Sequence, residues 1–227
     1  MPRTRIKICG LTRVEDIHAV VAAGADAIGF VFYPKSPRYV TPEQAAALIA
    51  AVPPYVTAVG LFVNASVDEV RATRAVAPLS MLQFHGDETP EHSAALAAAV
   101  NTPFTQVFRV KPDTSFEDLL EYEQRYRAAS PLFASLLLDT YVDAYGGAGK
   151  VFDWSLIPKE LAPRVVLSGG LSVQNATDAV VRVRPYAVDI SSGIEASKGI
   201  KDASRVRAFI AAVQDADAII ARGNNHE

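Results

Sequence analysis

Apolar residues fall into short runs separated by stretches with helical spacing, and the alternation continues along nearly the whole chain. The first run, Arg5-Ile6-Lys7-Ile8-Cys9, alternates strictly. As a strand it places Arg5, Lys7 and Cys9 on one face and Ile6 and Ile8 on the other. Thr12 with Glu15 three residues on has the form of a capping box, residues 14–23 follow in helical period, and Gly24 closes the helix. Residues 25–32 read as a buried strand, 33–39 as a loop with two prolines, and 41–51 as a helix with proline in its first turn and Pro53-Pro54 beyond its end. The same alternation gives strands over 56–63, 79–84, 104–110, 132–139, 164–168 and 186–191. Between and after them it gives helices over 64–77, 90–100, 115–128, a short one near 154–161, then 173–183 and 202–214.

These are eight strand–helix units. From Arg5 to Ala187 is 182 positions over seven steps, or 26 residues per unit, enough for a strand, a helix and two short turns. Eight consecutive units with apolar strands predict a single α/β domain, a parallel (β/α)8 TIM barrel in which each strand is covered by its crossover helix. An open doubly wound sheet is the alternative, but the turn after the first strand, Cys9-Gly10-Leu11-Thr12, has no Gly-x-Gly-x-x-Gly fingerprint. The barrel is expected over residues 1–216, with 217–227 the end of the last helix and a disordered tail.

Composition narrows the partners. A formal net charge of −3 gives no reason to expect nucleic acid or an anionic membrane surface. One cysteine excludes an intramolecular disulfide and a cysteine-cluster zinc site, which fits a reducing cytoplasm. There is neither a signal-peptide pattern nor an apolar run of the roughly 20 residues that cross a bilayer. A cytoplasmic protein acting on a small molecule is expected, either monomer or homodimer.

In a barrel of this kind chemistry gathers at the C-terminal ends of the strands. Those ends carry Cys9 and Gly10, the loop to Arg38, Gln83 to Gly86, Arg109, Asp139, Ser168-Gly169-Gly170 and Ser191-Ser192-Gly193. Glycines after the seventh and eighth strands let backbone amides approach an anion, and a following helix N-terminus adds its dipole. One such turn would be ordinary turn chemistry. Two on neighbouring strands, both with hydroxyls, favour a phosphorylated metabolite held by Gly169, Gly170, Ser191, Ser192 and Gly193.

A lone cysteine is more often a small buried hydrophobe than a catalyst. At a strand's catalytic end, with Lys7 below it to favour the thiolate, Cys9 reads as catalytic. Asp139 ends the run Leu136-Leu137-Leu138 and is either a structural carboxylate or the partner of Cys9 in an acid/base pair. Arg38, on its proline-stiffened loop, is either a solvated side chain or a clamp for a second anionic group such as a carboxylate. His85 is either a proton carrier or a rim histidine. His18 and His92 fall in helices, and without paired carboxylate ligands no metal site is expected. Lys7 and Asp189, inward on the first and last strands, are expected to pair, since an unpaired buried ammonium is unfavourable.

Taken together, Lys7-Ile8-Cys9-Gly10-Leu11-Thr12, Lys35-Ser36-Pro37-Arg38-Tyr39, Gln83-Phe84-His85-Gly86, Leu138-Asp139, Gly146-Gly147-Ala148-Gly149, Leu167-Ser168-Gly169-Gly170 and Asp189-Ile190-Ser191-Ser192-Gly193-Ile194-Glu195 with Gly199-Ile200-Lys201-Asp202 resemble the phosphoribosylanthranilate isomerases of tryptophan biosynthesis. The resemblance runs in order from Lys7 to Asp202. Ala148 stands where that family usually has threonine, and Phe84 where leucine is more usual. It implies an Amadori rearrangement without cofactor or metal, with Asp139 as general acid, Cys9 as general base, Arg38 on the anthranilate carboxylate and the two glycine turns on the phosphate. The similar histidine-pathway isomerase carries an aspartate where Cys9 stands. A non-catalytic barrel binding a phosphorylated ligand is the alternative from another class, and the presence of both Cys9 and Asp139 argues against it.

Overall fold

Alternating strand residues need two different environments, and a closed barrel supplies both. The computed structural model describes residues 3–141 and 151–223. Its parallel strands β1 (Arg5–Cys9), β2 (Ala27–Val31), β3 (Thr57–Phe62), β4 (Met81–Phe84), β5 (Phe104–Val110), β6 (Phe133–Thr140), β7 (Val165–Leu167) and β8 (Ala187–Ile190) hydrogen-bond in sequential order, and β8 returns to β1. The expected (β/α)8 TIM barrel is the fold.

Around it lie α1 (Val14–Ala23), α2 (Pro42–Ile49), α3 (Val67–Val76), α4 (Pro90–Val100), α5 (Phe116–Ala129), α6 (Ala176–Val183) and α7 (Ala203–Gly223). Thr41, Ser66 and Ser115 close capping boxes at the starts of α2, α3 and α5. The box expected at Thr12 is absent. Arg13 is the N-cap of α1 and makes no side-chain cap, because the Thr12 hydroxyl donates instead to the carbonyl of Gly199 at 2.6 Å. Tertiary contact overrides the local motif there. Between β6 and β7 the described residues form only short 3-10 turns, Trp154–Leu156 and Ala162–Arg164. The short helix expected near 154–161 does not extend, since Pro158 and Pro163 remove backbone donors. Helix α6 starts at Ala176, three residues later than its spacing suggests, because Asn175 Oδ1 accepts from Ser172 N at 2.8 Å in a turn of its own. The last helix runs past the expected 214 to Gly223, and Asp217 within it accepts from the amide and hydroxyl of Thr4 at 2.9 and 2.7 Å. The loop from Val142 to Lys150, with Asp143 and the 146–149 glycine segment, and the tail from Asn224 lie outside the described residues.

The outward faces of the strands form one apolar core with the helices. Phe62, Phe84, Phe104 and Phe133 run around it as neighbouring rings, with centroids 6.5, 5.4 and 5.6 Å apart. The interior is smaller and divided, with Val107, Leu137, Val166 and Ala187 in one cluster and Cys9, Val31 and Leu61 in another. Lys7, Gln83 and Asp189 are buried polar residues of the same interior strands. Lys7 and Asp189 are register partners across the β1–β8 seam, and Lys7 Nζ lies 2.8 Å from Asp189 Oδ1, as expected. The unfavourable desolvation of two buried charges is offset only because they meet.

Candidate active site

All strand C-termini open at one end of the barrel, and a cavity there is lined by Cys9, Arg38, His85, Asp139, Ser168, Gly169, Gly170, Asp189, Ser191, Ser192 and Gly193. Each of the nine residues singled out from the sequence as a candidate for catalysis or binding reaches this cavity. Cys9 ends β1, Asp139 lies near the end of β6, and His85 follows β4. His18 and His92 lie in α1 and α4, and His92 Nε2 is 3.0 Å from the carbonyl oxygen of Ala65.

The glycine turns form a backbone cradle. Gly169 and Gly170 adopt φ values of +79° and +68°, in the left-handed region that disfavours other residues. A Cβ at Gly169 would also collide with the backbone of Thr140 and with Asp139. The hydroxyls differ from the sequence expectation. Ser168 Oγ donates to the carbonyl of Asp189 at 3.1 Å, and Ser191 Oγ donates to the carbonyl of Cys9 at 2.9 Å. Both are thereby committed within the barrel, so the anion-binding capacity of these turns rests on backbone N–H groups and on Ser192.

Arg38 is not a free cation. Its Nε and Nη2 donate to the two carboxylate oxygens of Glu195, each at 2.7 Å, and among the described residues Nη1 is the uncommitted corner of the fork. Gly10 has φ +78°, and a Cβ there would run into the aliphatic stem of Arg38, which packs across the end of β1 where the glycine leaves room. Glu195 also takes a bond from Lys201 Nζ at 3.0 Å, and Lys201 donates to Ser191 O and Oγ. Glu195 and Lys201 sit opposite each other in a short antiparallel hairpin, β9 (Glu195–Ser197) and β10 (Ile200–Lys201). Burial alone would push the Glu195 carboxyl up, but the bonds from Arg38 and Lys201 hold it below its ordinary range. Burial pulls Lys201 down, and Glu195 offsets only part of that.

Glu195 and Lys201 escaped assignment from the sequence, although both lie in motif stretches. The signal was two opposite charges flanking a glycine turn after the eighth strand, where no ninth strand was expected.

Burial also dominates at Cys9. It pushes the thiol up; Lys7 and Lys201 pull the other way, Asp189 adds to the rise, and the net shift is upward. Lys7 therefore helps the thiolate, as expected, without being enough in this state. Burial alone would lower the Lys7 ammonium, but Asp189 and Cys9 outweigh it and hold it raised. Across the mouth, Asp139 Oδ1 accepts the Thr140 N–H at 2.8 Å, and Oδ2 lies 3.3 Å from His85 Nε2. Among the described residues no group of three or more His, Cys, Asp or Glu is placed to hold a metal ion.

A parallel eightfold barrel whose mouth combines an amide cradle, a partly committed guanidinium, a thiol and a carboxylate defines an acid/base enzyme for a phosphorylated, carboxylate-bearing small molecule. The family model of N-(5'phosphoribosyl)anthranilate (PRA) isomerase matches residues 6–212, and the chain belongs to that family. It is 70% identical over 218 residues to the N-(5'-phosphoribosyl)anthranilate isomerase of Herminiimonas arsenicoxydans, with 96% of each chain covered. Among solved structures, the phosphoribosyl anthranilate isomerase of Thermotoga maritima superimposes with a TM-score of 0.80 at 40% identity, covering 93% of this chain and 99% of that one. A phosphoribosyl anthranilate isomerase in complex with reduced 1-(o-carboxyphenylamino)-1-deoxyribulose 5-phosphate gives 0.77 at 36% identity with the same coverage.

Proposed function

We infer that this chain is an aldose–ketose isomerase that converts N-(5-phospho-β-D-ribosyl)anthranilate to 1-(2-carboxyphenylamino)-1-deoxy-D-ribulose 5-phosphate in tryptophan biosynthesis, acting in the cytoplasm. The observation that carries it is the convergence of Cys9, Asp139, Arg38 and both glycine turns on one cavity, in a chain of this family. Asp139 protonates the furanose ring oxygen, and the ring opens to a Schiff base. Cys9, as thiolate, removes the proton from C2. The resulting enolamine tautomerises to the ketone, a proton returning to C1 as the C2 hydroxyl loses its own. Arg38 meets the anthranilate carboxylate through the edge that Glu195 leaves free. The amides after β7 and β8 receive the phosphate, with Cys9 and Asp139 lining the same cavity. No cofactor or metal enters these steps.

Anthranilate fluorescence supplies the test. Freshly prepared substrate should lose its signal on adding the purified protein, and an unchanged signal at micromolar protein would overturn the reading. Cys9→Ser and Asp139→Asn should each lower kcat by about 10²–10⁴-fold, the range for a positioned acid or base, while binding of a phosphate analogue stays within a few-fold of wild type.

A further inference from the structure

Gln83 has no part in the steps above, yet it sits in the barrel interior at 1% exposure. It lines both the upper cavity and a second one at the opposite end of the barrel. Its side-chain Nε2 lies 3.2 Å from Nδ1 of His85, and the other ring nitrogen of His85 faces Asp139 Oδ2 at 3.3 Å. Gln83, His85 and Asp139 thus form a chain from the barrel floor to the carboxylate at the mouth. An amide nitrogen is a donor only, so the ring nitrogen it meets must be an acceptor.

We propose that Gln83 is a positioning residue, which fixes the imidazole of His85 as its Nε2–H tautomer and through it orients the carboxylate of Asp139. In that tautomer Nε2–H donates to Oδ2 while the Thr140 N–H donates to Oδ1, so each carboxylate oxygen has one fixed donor and keeps its remaining lone pairs for the cavity. In the opposite tautomer a bare Nε2 repels the ionised Oδ2 and, once Asp139 carries its proton, accepts it in a hydrogen bond that turns it away from the substrate. His85 therefore orients, and the proton delivered to substrate resides on Asp139. This deepens the isomerase reading and rests on it for its kinetic arm only.

The test combines spectroscopy with kinetics. Protein labelled with 15N-histidine, free of substrate and held well above the imidazole titration range, is observed by long-range 1H–15N correlation, with His85 identified by the signal lost in His85→Asn. The wild type should show a bare Nδ1 and a protonated Nε2. Gln83→Glu, nearly the same shape but an acceptor, should move a proton onto Nδ1. Gln83→Met, which neither donates nor accepts, should leave a mixture. In both variants kcat should fall at least tenfold with KM within threefold. A protonated Nδ1 in the wild type overturns the proposal without any variant having to fold, as does a His85 signature unchanged in Gln83→Glu, or a changed signature with wild-type kcat. The spectra need no turnover, so a protein that failed to isomerise the substrate would sink the functional reading and leave the tautomer result standing.

Discussion

Cys9 holds its proton more tightly in the folded barrel than in an open chain, because burial disfavours the thiolate more than Lys7 and Lys201 favour it. A base with a raised pKa is sparsely ionised at neutral pH. The thiolate fraction must therefore climb with pH and keep climbing beyond the ordinary thiol range of about 8.5. We expect the ultraviolet thiolate absorbance that is lost in Cys9→Ser to be still rising at that pH, measured under conditions where the fold stays intact; full ionisation already reached near neutrality would contradict this. The same shift acts on stability with a defined sign. The favourable contribution of the Cys9 thiol is complete below the unfolded-state pKa and declines as pH rises through the folded one. The placement of Cys9 and Asp139 at the mouth was legible in the sequence because each stands at the end of a strand run. Lys201 and Glu195 were not, since their roles follow from a two-residue pairing that no hydrophobic period announces.

The elements themselves were legible where periodicity and caps agreed, as in α4 over Pro90–Val100 and β5 over Phe104–Val110. They were misread where a side chain had a distant partner: Thr12 offers a cap in sequence and gives its hydroxyl to Gly199 in space. What the strand pattern does not reveal is which ring meets which. The aromatic run on the outer face depends on strand order and register, and both follow from closure. Phe84 sits in that run with no exposure, between Phe62 and Phe104. Phe84→Ala removes contacts on both sides and opens a cavity the neighbouring strands cannot fill, so it should destabilise the protein by about 3–5 kcal/mol in equilibrium urea unfolding. Phe84→Leu keeps most of the volume and should lose under about 1.5 kcal/mol. Equal losses for the two would mean that the site collapses freely and that the ring packing matters little.

At the scale of the whole molecule the barrel must join its first and last strands, and the seam carries a buried ion pair rather than an apolar contact. Lys7 and Asp189 meet at 2.8 Å, at 8% and 6% exposure. Such a pair can be close to neutral for stability, whereas either partner left alone is a buried charge without compensation. The expectation is therefore non-additive. Lys7→Met and Asp189→Leu should each destabilise by about 3–5 kcal/mol, and the double variant by clearly less than the sum of the two. Activity separates a second function of the same lysine. Lys7 is the cation that most opposes the burial of the Cys9 thiol, so removing it drives that thiol further up. The double variant should then regain stability relative to Lys7→Met without regaining kcat. If it recovered both, the pair would serve closure alone and Lys7 would have no part in ionising Cys9. If neither recovered, the seam would depend on these two charges in a way their 2.8 Å contact does not capture, and the barrel would require the ion pair itself rather than a filled, uncharged seam.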